Sequence, residues 1–157
     1  MGRPASGVAG MKLRSGDEVI EVDIASDDAD LLVVTENGWG KRTRVAEYPV
    51  KGRGTMGVKT AQLVEGKGRL AGARIVRDGY QVMLISDGGT VIRTGVDGIK
   101  RSGRATQGVI VMRLREGEHV SSLAPVIGSD DEADEVDGVD LDLVEPKAVE
   151  PADGAVD

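Results

Sequence analysis

The stretch GWGKRTRVAEYPVKGRGTMGVK, residues 38–59, decides how the rest of the chain is read. It places Lys41, Arg42, Arg44, Lys51, Arg53 and Lys59 against a single acid, Glu47. The cations sit among Gly, Thr and Val, residues that do not build a helical face. The pattern predicts a positively charged edge of β-structure whose glycine-bearing loops can come close to phosphate groups.

Outward from this stretch the chain repeats itself. Gly2-Arg3, Gly52-Arg53 and Gly103-Arg104 recur 50 and 51 residues apart, and each is followed at the same offset by Gly-Val: Gly7-Val8, Gly57-Val58 and Gly108-Val109. The register continues through Leu13, Leu63 and Leu114, then Gly16, Gly66 and Gly117. Arg42-Thr43-x-Val45 matches Arg93-Thr94-x-Val96 in the same way. Such a period marks a repeat architecture. Two full units and the front half of a third are present.

Each unit reads as strands: residues 19–24, 30–36, 73–76, 80–86, 90–96 and 108–114 are β-branched runs bounded by Gly, Asn and Asp. Asn37-Gly38 and Asp87-Gly88-Gly89 supply the positive φ that tight hairpins need. No stretch carries a helical period with caps. Four strands in a unit of about 50 residues is the arithmetic of a propeller blade. The expected fold is therefore all-β, about two and a half propeller-like four-stranded blades over residues 1–127.

The composition agrees with that frame. There is no Cys or Phe, one Trp and two Tyr, so the core must be aliphatic, and 23 glycines imply many turns. Disulfides and thiolate metal sites are excluded. No apolar run reaches the roughly 18 residues of a membrane span, and Met1 is followed by Gly-Arg-Pro rather than a signal-peptide core. A cytoplasmic protein without a membrane partner is expected. The net charge of −7 hides a segregation. Residues 41–115 hold sixteen bases against five acids, whereas residues 128–157 hold twelve acids and one base, Lys147. Screening confines charge effects to about 10 Å, so the local balance decides the partner. The acidic stretch, with Pro146 and Pro151, is expected to be a disordered tail in which Leu141, Leu143 and Val144 are a candidate docking segment.

Catalytic and metal chemistry find little support. His119 is the single histidine and falls at a strand start, as a packed or surface residue would. Gly40-Lys41 lacks the Gly and Ser/Thr of a phosphate loop, having Thr35 and Arg42 in their places. The acids around Gly138 lack the first and twelfth ligands of a calcium loop, where Ala133 and Val144 stand. Tyr48 and Tyr80 have no adjacent acid or base cluster and are read as packing residues. What remains is the basic edge. Arg3, Arg53 and Arg104, and separately Arg42 and Arg93, recur at equivalent positions, and cyclic repetition would set them along one perimeter. Aromatic platforms for unpaired bases are scarce, which favours duplex contact without base readout and with strong salt dependence.

Together with MGRPASGVAGMKLRSGDEV (1–19) and TVIRTGVDGIKRSGRATQGVIVMRL (90–114), the opening stretch resembles the C-terminal domain of the bacterial DNA gyrase A protein. The resemblance covers roughly residues 1–127. It implies a β-pinwheel, a disc of four-stranded blades whose basic rim bends and wraps double-stranded DNA and so supports negative supercoiling by an ATP-dependent type II topoisomerase. The residues assigned to DNA on this basis are Arg3, Lys41, Arg42, Arg44, Lys51, Arg53, Lys59, Arg93, Lys100, Arg101 and Arg104. The implied partners are DNA, the gyrase B protein and the remainder of gyrase A. ATP and magnesium would belong to the parent complex, with no cofactor, metal or catalytic residue in this segment, since neither tyrosine has the Arg-Tyr-Thr context of the family's catalytic one.

The family's signature box reads Gln, basic, Arg, Gly, Gly, basic, Gly. The best match, Lys51 to Gly57, keeps the Arg and two glycines, and Ser102–Gly108 and Met1–Gly7 keep less. The box itself is expected upstream, with residues 1–127 as the last blades of a larger disc. The acidic tail is expected to compete with DNA for the rim. The related C-terminal domain of topoisomerase IV, which bends DNA without full wrapping, is the nearest alternative. A propeller that binds acidic proteins is the alternative from another class.

Overall fold

Two hairpins related by the 51-residue offset form the centre of the molecule, as seen in a computed structural model that describes residues 3–126. Strands β1 (Asp30–Thr35) and β2 (Trp39–Arg44) make the first, and β4 (Gln81–Ser86) and β5 (Val91–Gly95) the second. Gly38, at φ 79°, closes the first turn with its N–H donating to the Thr35 carbonyl. Gly89, at φ 83°, does the same toward Ser86. A Cβ at Gly38 would also sit on the carbonyl oxygen of Met112, so the tight turn and its close approach both require glycine.

The remaining strands are β3 (Leu70–Val76), the short β6 (Val109–Ile110) and β7 (Val120–Val126). One antiparallel sheet has the order β3-β1-β2-β6 and the other β5-β4-β7. The repeat holds in fine detail. β1 pairs with β3 as β4 pairs with β7, and both ladders shift register at the same place, Val34/Thr35 and Ile85/Ser86. A 3-10 turn follows each hairpin, Val45–Glu47 and Val96–Gly98. Strands β1 and β4 bury their inward residues, and Leu32, Val34, Val82 and Leu84 join Val76, Val96, Ile99, Met112, Val120 and Leu123 in one aliphatic cluster.

The all-β, propeller-type expectation is met, but the strands are shared differently from a simple succession of units. The third unit does not start a half blade of its own. It gives β6 to the sheet of the first hairpin and β7 to that of the second. The predicted strand at 19–24 is absent, and Val22 and Ile24 are exposed. That segment runs beside β3 through its carboxylates instead of a backbone ladder. Asp23 accepts a hydrogen bond from the Ile75 N–H at 3.0 Å, and Glu21 pairs with Arg74 at 2.5 Å. The bond from Ile75 is the main reason the Asp23 carboxyl lies below its ordinary range. Of residues 108–114, only Val109–Ile110 is strand; Met112 continues into the core. Residues 128–157, with the expected acidic tail and its docking segment, lie outside the described residues.

Candidate nucleic-acid interface

The Gly-Arg loops of successive units lie side by side. The Gly54 N–H donates to the Gly10 carbonyl at 3.0 Å and the Lys12 N–H to the Thr55 carbonyl at 2.9 Å, with Met11 and Thr55 in a parallel bridge. One unit further on, the Gln62 N–H donates to the Thr106 carbonyl at 3.0 Å. Equivalent positions of successive units are thus hydrogen-bonded in sequence order. Arg3 and Arg53 are exposed; Arg104 is half-buried, its guanidinium 5.8 Å from the centre of the Tyr48 ring. Arg44, Lys51, Lys59 and Lys100 also present exposed side chains.

Two of the expected DNA contacts are corrected. Lys41 and Arg42, 2% and 7% exposed, are internal. Strand β2 lies between β1 and β6, and the loop after the second hairpin closes over it: the Arg42 N–H donates to the Lys100 carbonyl, and the Ser102 N–H to the Arg42 carbonyl. The Arg42 guanidinium donates through Nε to the Ile99 carbonyl at 2.8 Å, and through Nη1 to Asp30 at 3.3 Å and to Asp78. Asp97 lies 3.8 Å away. Arg101 is tied to the same carboxylates, with Nε at 2.9 Å from Asp30 and Nη2 at 3.1 Å from Asp78. These guanidinium bonds, Arg42's first, lower the Asp78 carboxyl, and the bond to Asp30 raises the Arg101 guanidinium. Two arginines and three aspartates thus clasp one hairpin to the next; Arg42 is enclosed in that joint, while Arg101 pairs with the same carboxylates and stays exposed.

Lys41 is internal for another reason. Its ammonium donates to the carbonyls of Gly103 and Arg104, each at 2.7 Å, and to Thr106 Oγ1 at 3.1 Å. Burial lowers its pKa, with the nearby Glu47 acting the other way. Arg93, the repeat partner of Arg42, remains exposed to solvent in part on β5, because among the described residues no strand pairs with the outer edge of β5 as β6 pairs with β2.

The aspartates of the clasp are structural partners absent from the sequence-based expectation. A signal existed: Asp78 and Asp97 are two of the five acids in a basic stretch, and Asp30 opens a strand otherwise apolar to Val34. Also unassigned were Lys67, whose Nζ lies 3.7 Å over the Trp39 ring, and the exposed Arg113 and Arg115. His119, half-exposed before β7, pairs with Asp87 at 3.4 Å. Tyr48 packs under Arg104 and shares a 2.5 Å hydrogen bond with Thr60. Among the described residues no group of three or more His, Asp and Glu could hold a metal ion, and no helix is long and apolar enough to cross a membrane.

Repeated hairpins whose sheets are completed by strands of a later unit define a blade-repeat protein of the propeller class. Solved structures share that architecture. The DNA gyrase A C-terminal domain superposes with TM-score 0.72 at 28% identity, over 77% of this chain and 41% of that one. The C-terminal domain of DNA topoisomerase IV superposes with TM-score 0.70 at 26% identity, over 76% and 38%.

The chain belongs to the family "DNA gyrase C-terminal domain, beta-propeller", whose profile matches residues 1–26, 29–77 and 80–127. It is 43% identical over 153 residues to the DNA gyrase A protein of Escherichia coli K12, covering 98% of this chain and 17% of the relative. It is 45% identical over 140 residues to that of Salmonella typhimurium LT2, covering 88% and 16%. The chain therefore spans about a sixth of the length of these curated relatives.

Proposed function

We propose that this chain binds and bends duplex DNA along the row of Gly-Arg loops, as the wrapping segment of a gyrase A protein. In that role it serves ATP-dependent negative supercoiling in a cytoplasmic complex with the gyrase B protein and the rest of gyrase A. It contributes no catalytic group; ATP and magnesium act elsewhere in the complex. The observation that supports the reading is the hydrogen bonding of equivalent positions in successive units, Gly54 to Gly10, Lys12 to Thr55 and Gln62 to Thr106, which favours a track formed by Arg3, Arg53 and Arg104. Glycines at Gly54 and Gly57 leave backbone accessible beside these cations, as phosphate contact requires. Bending a short duplex costs on the order of 1–6 kcal/mol, so several cation–phosphate contacts must act together. Identities above 40% to gyrase A proteins favour gyrase over topoisomerase IV.

The test is duplex binding as a function of salt. Arg53→Ala with Arg104→Ala should weaken binding to every sequence and lower the salt slope by about two. Unchanged affinity at low salt would remove these loops from the interface. Plasmid topology with the complete gyrase, with and without this segment, separates wrapping from simple binding.

A further inference from the structure

The turn that carries Arg104 is held from beneath by side chains of another unit. Lys41 Nζ meets three oxygens, the Gly103 and Arg104 carbonyls and Thr106 Oγ1, which accounts for all three of its N–H donors. Thr43, on the same strand and fully buried, donates through Oγ1 to the Ser102 carbonyl at 2.7 Å. Within the turn, Thr106 Oγ1 donates to the Gly103 carbonyl at 2.8 Å and lies 2.9 Å from Ser102 Oγ.

Burying an ammonium is expensive, and an apolar side chain would fill the same space at lower cost. What an aliphatic residue could not do is grip three oxygens of a turn some sixty positions away in the chain. The repeat supplies the contrast. In the second hairpin Ile92 stands where Lys41 stands in the first. The turn at Gly52–Thr55 has the same inner bond, Thr55 Oγ1 to the Gly52 carbonyl at 3.0 Å, but no lysine beneath it among the described residues. Among the described residues, Arg104 alone of the three loop arginines sits on a turn gripped in this way and lies over an aromatic ring, that of Tyr48.

We infer that Lys41 is a positioning residue for duplex binding: from its buried place under the Gly103–Thr106 turn it fixes the backbone that presents Arg104 to a DNA phosphate, without touching DNA. This rests on the DNA-binding reading above. Fixing the turn in advance removes an ordering cost that Arg104 would otherwise meet on binding.

A double-mutant cycle on the complete chain, with mixed-sequence duplex DNA as the probe, tests it. Lys41→Met and Arg104→Ala should each weaken binding on the order of three- to tenfold at low salt and lower the salt slope by about one. The double variant should be no weaker than either single one, since the second change has nothing left to remove. Thr106→Val alters no charge and should reproduce part of the Lys41→Met loss. Additive losses, with the slope falling by about two in the double variant, would make Lys41 an independent contact and overturn the proposal. So would unchanged binding by Lys41→Met. If circular dichroism shows Lys41→Met to be unfolded, the Thr106→Val and Arg104→Ala cycle decides: sub-additive losses support the proposal and additive ones overturn it. Loss of duplex binding in none of the variants, nor in Arg53→Ala, would sink the DNA reading and this role together. An additive result sinks the role of Lys41 alone.

Discussion

Arg42 and Arg93 occupy equivalent positions in the repeat, yet the first is buried and the second exposed. Their shared Arg-Thr-x-Val setting is legible, and so is the hairpin each belongs to. Burial is not, because it depends on whether a loop from elsewhere covers the strand. Arg42 lies beneath residues 99–102 and meets Asp30, whose side chain is 3% exposed. Removing one partner of such a buried pair leaves the other charge uncompensated. Asp30→Ala should therefore cost about 3 kcal/mol, read as a lower urea midpoint at unchanged slope. Asp78→Ala, at the solvent side of the same cluster, should lose visibly less, because water replaces part of what the carboxylate supplied. Equal losses would mean that the clasp is not graded by burial.

At the scale of the element, the alternation of β4 is readable from 81–86, and Val82, Leu84 and Ser86 do point inward. Leu84 is fully buried, so Leu84→Ala should destabilise by about 2–5 kcal/mol in thermal or urea unfolding. The connection between the second hairpin turn and the loop before β7 depends on carboxylates. The His119 N–H donates to Asp87 at 2.8 Å, and the Arg115 N–H donates to Glu118 at 2.9 Å. Those backbone bonds are the first cause of the lowered pKa of each group, from ordinary values of 3.8 and 4.5. A carboxyl lowered in the folded state contributes stability above its unfolded pKa, and that contribution is lost as pH falls through the lowered folded value. Melting temperature should therefore hold above 4.5 and fall at lower pH, with a shallower fall when Asp87→Asn and Glu118→Gln are combined. The segment 19–24 shows the limit of pattern. Its apolar alternation suits a strand, but the Ile75 N–H of β3 is met by the Asp23 side chain, and no ladder forms.

For the whole molecule, charge segregation is the property with the widest consequence. Residues 128–157 carry twelve acids and one base. Deleting them should raise duplex affinity at low salt, and the gain should shrink as ionic strength rises and the Debye length contracts. A gain independent of salt would argue against electrostatic competition. If the rim instead served acidic proteins, deletion need not change DNA affinity at all.

The amino-acid sequence by itself determined the period, the hairpins and the excess of cations around the loops, because each follows from local rules. Glycine sets the turns, alternation sets the faces, and repetition at 50–51 residues sets equivalent strands at equivalent places. Only the tertiary structure decided which unit completes which sheet, and with it which cations reach solvent. β6 and residues 99–106 come from later in the chain to cover β2, and that long-range packing encloses Lys41 and Arg42 while Arg53 stays outside. Burial is a property of what lies across from a residue, and no local spacing records that.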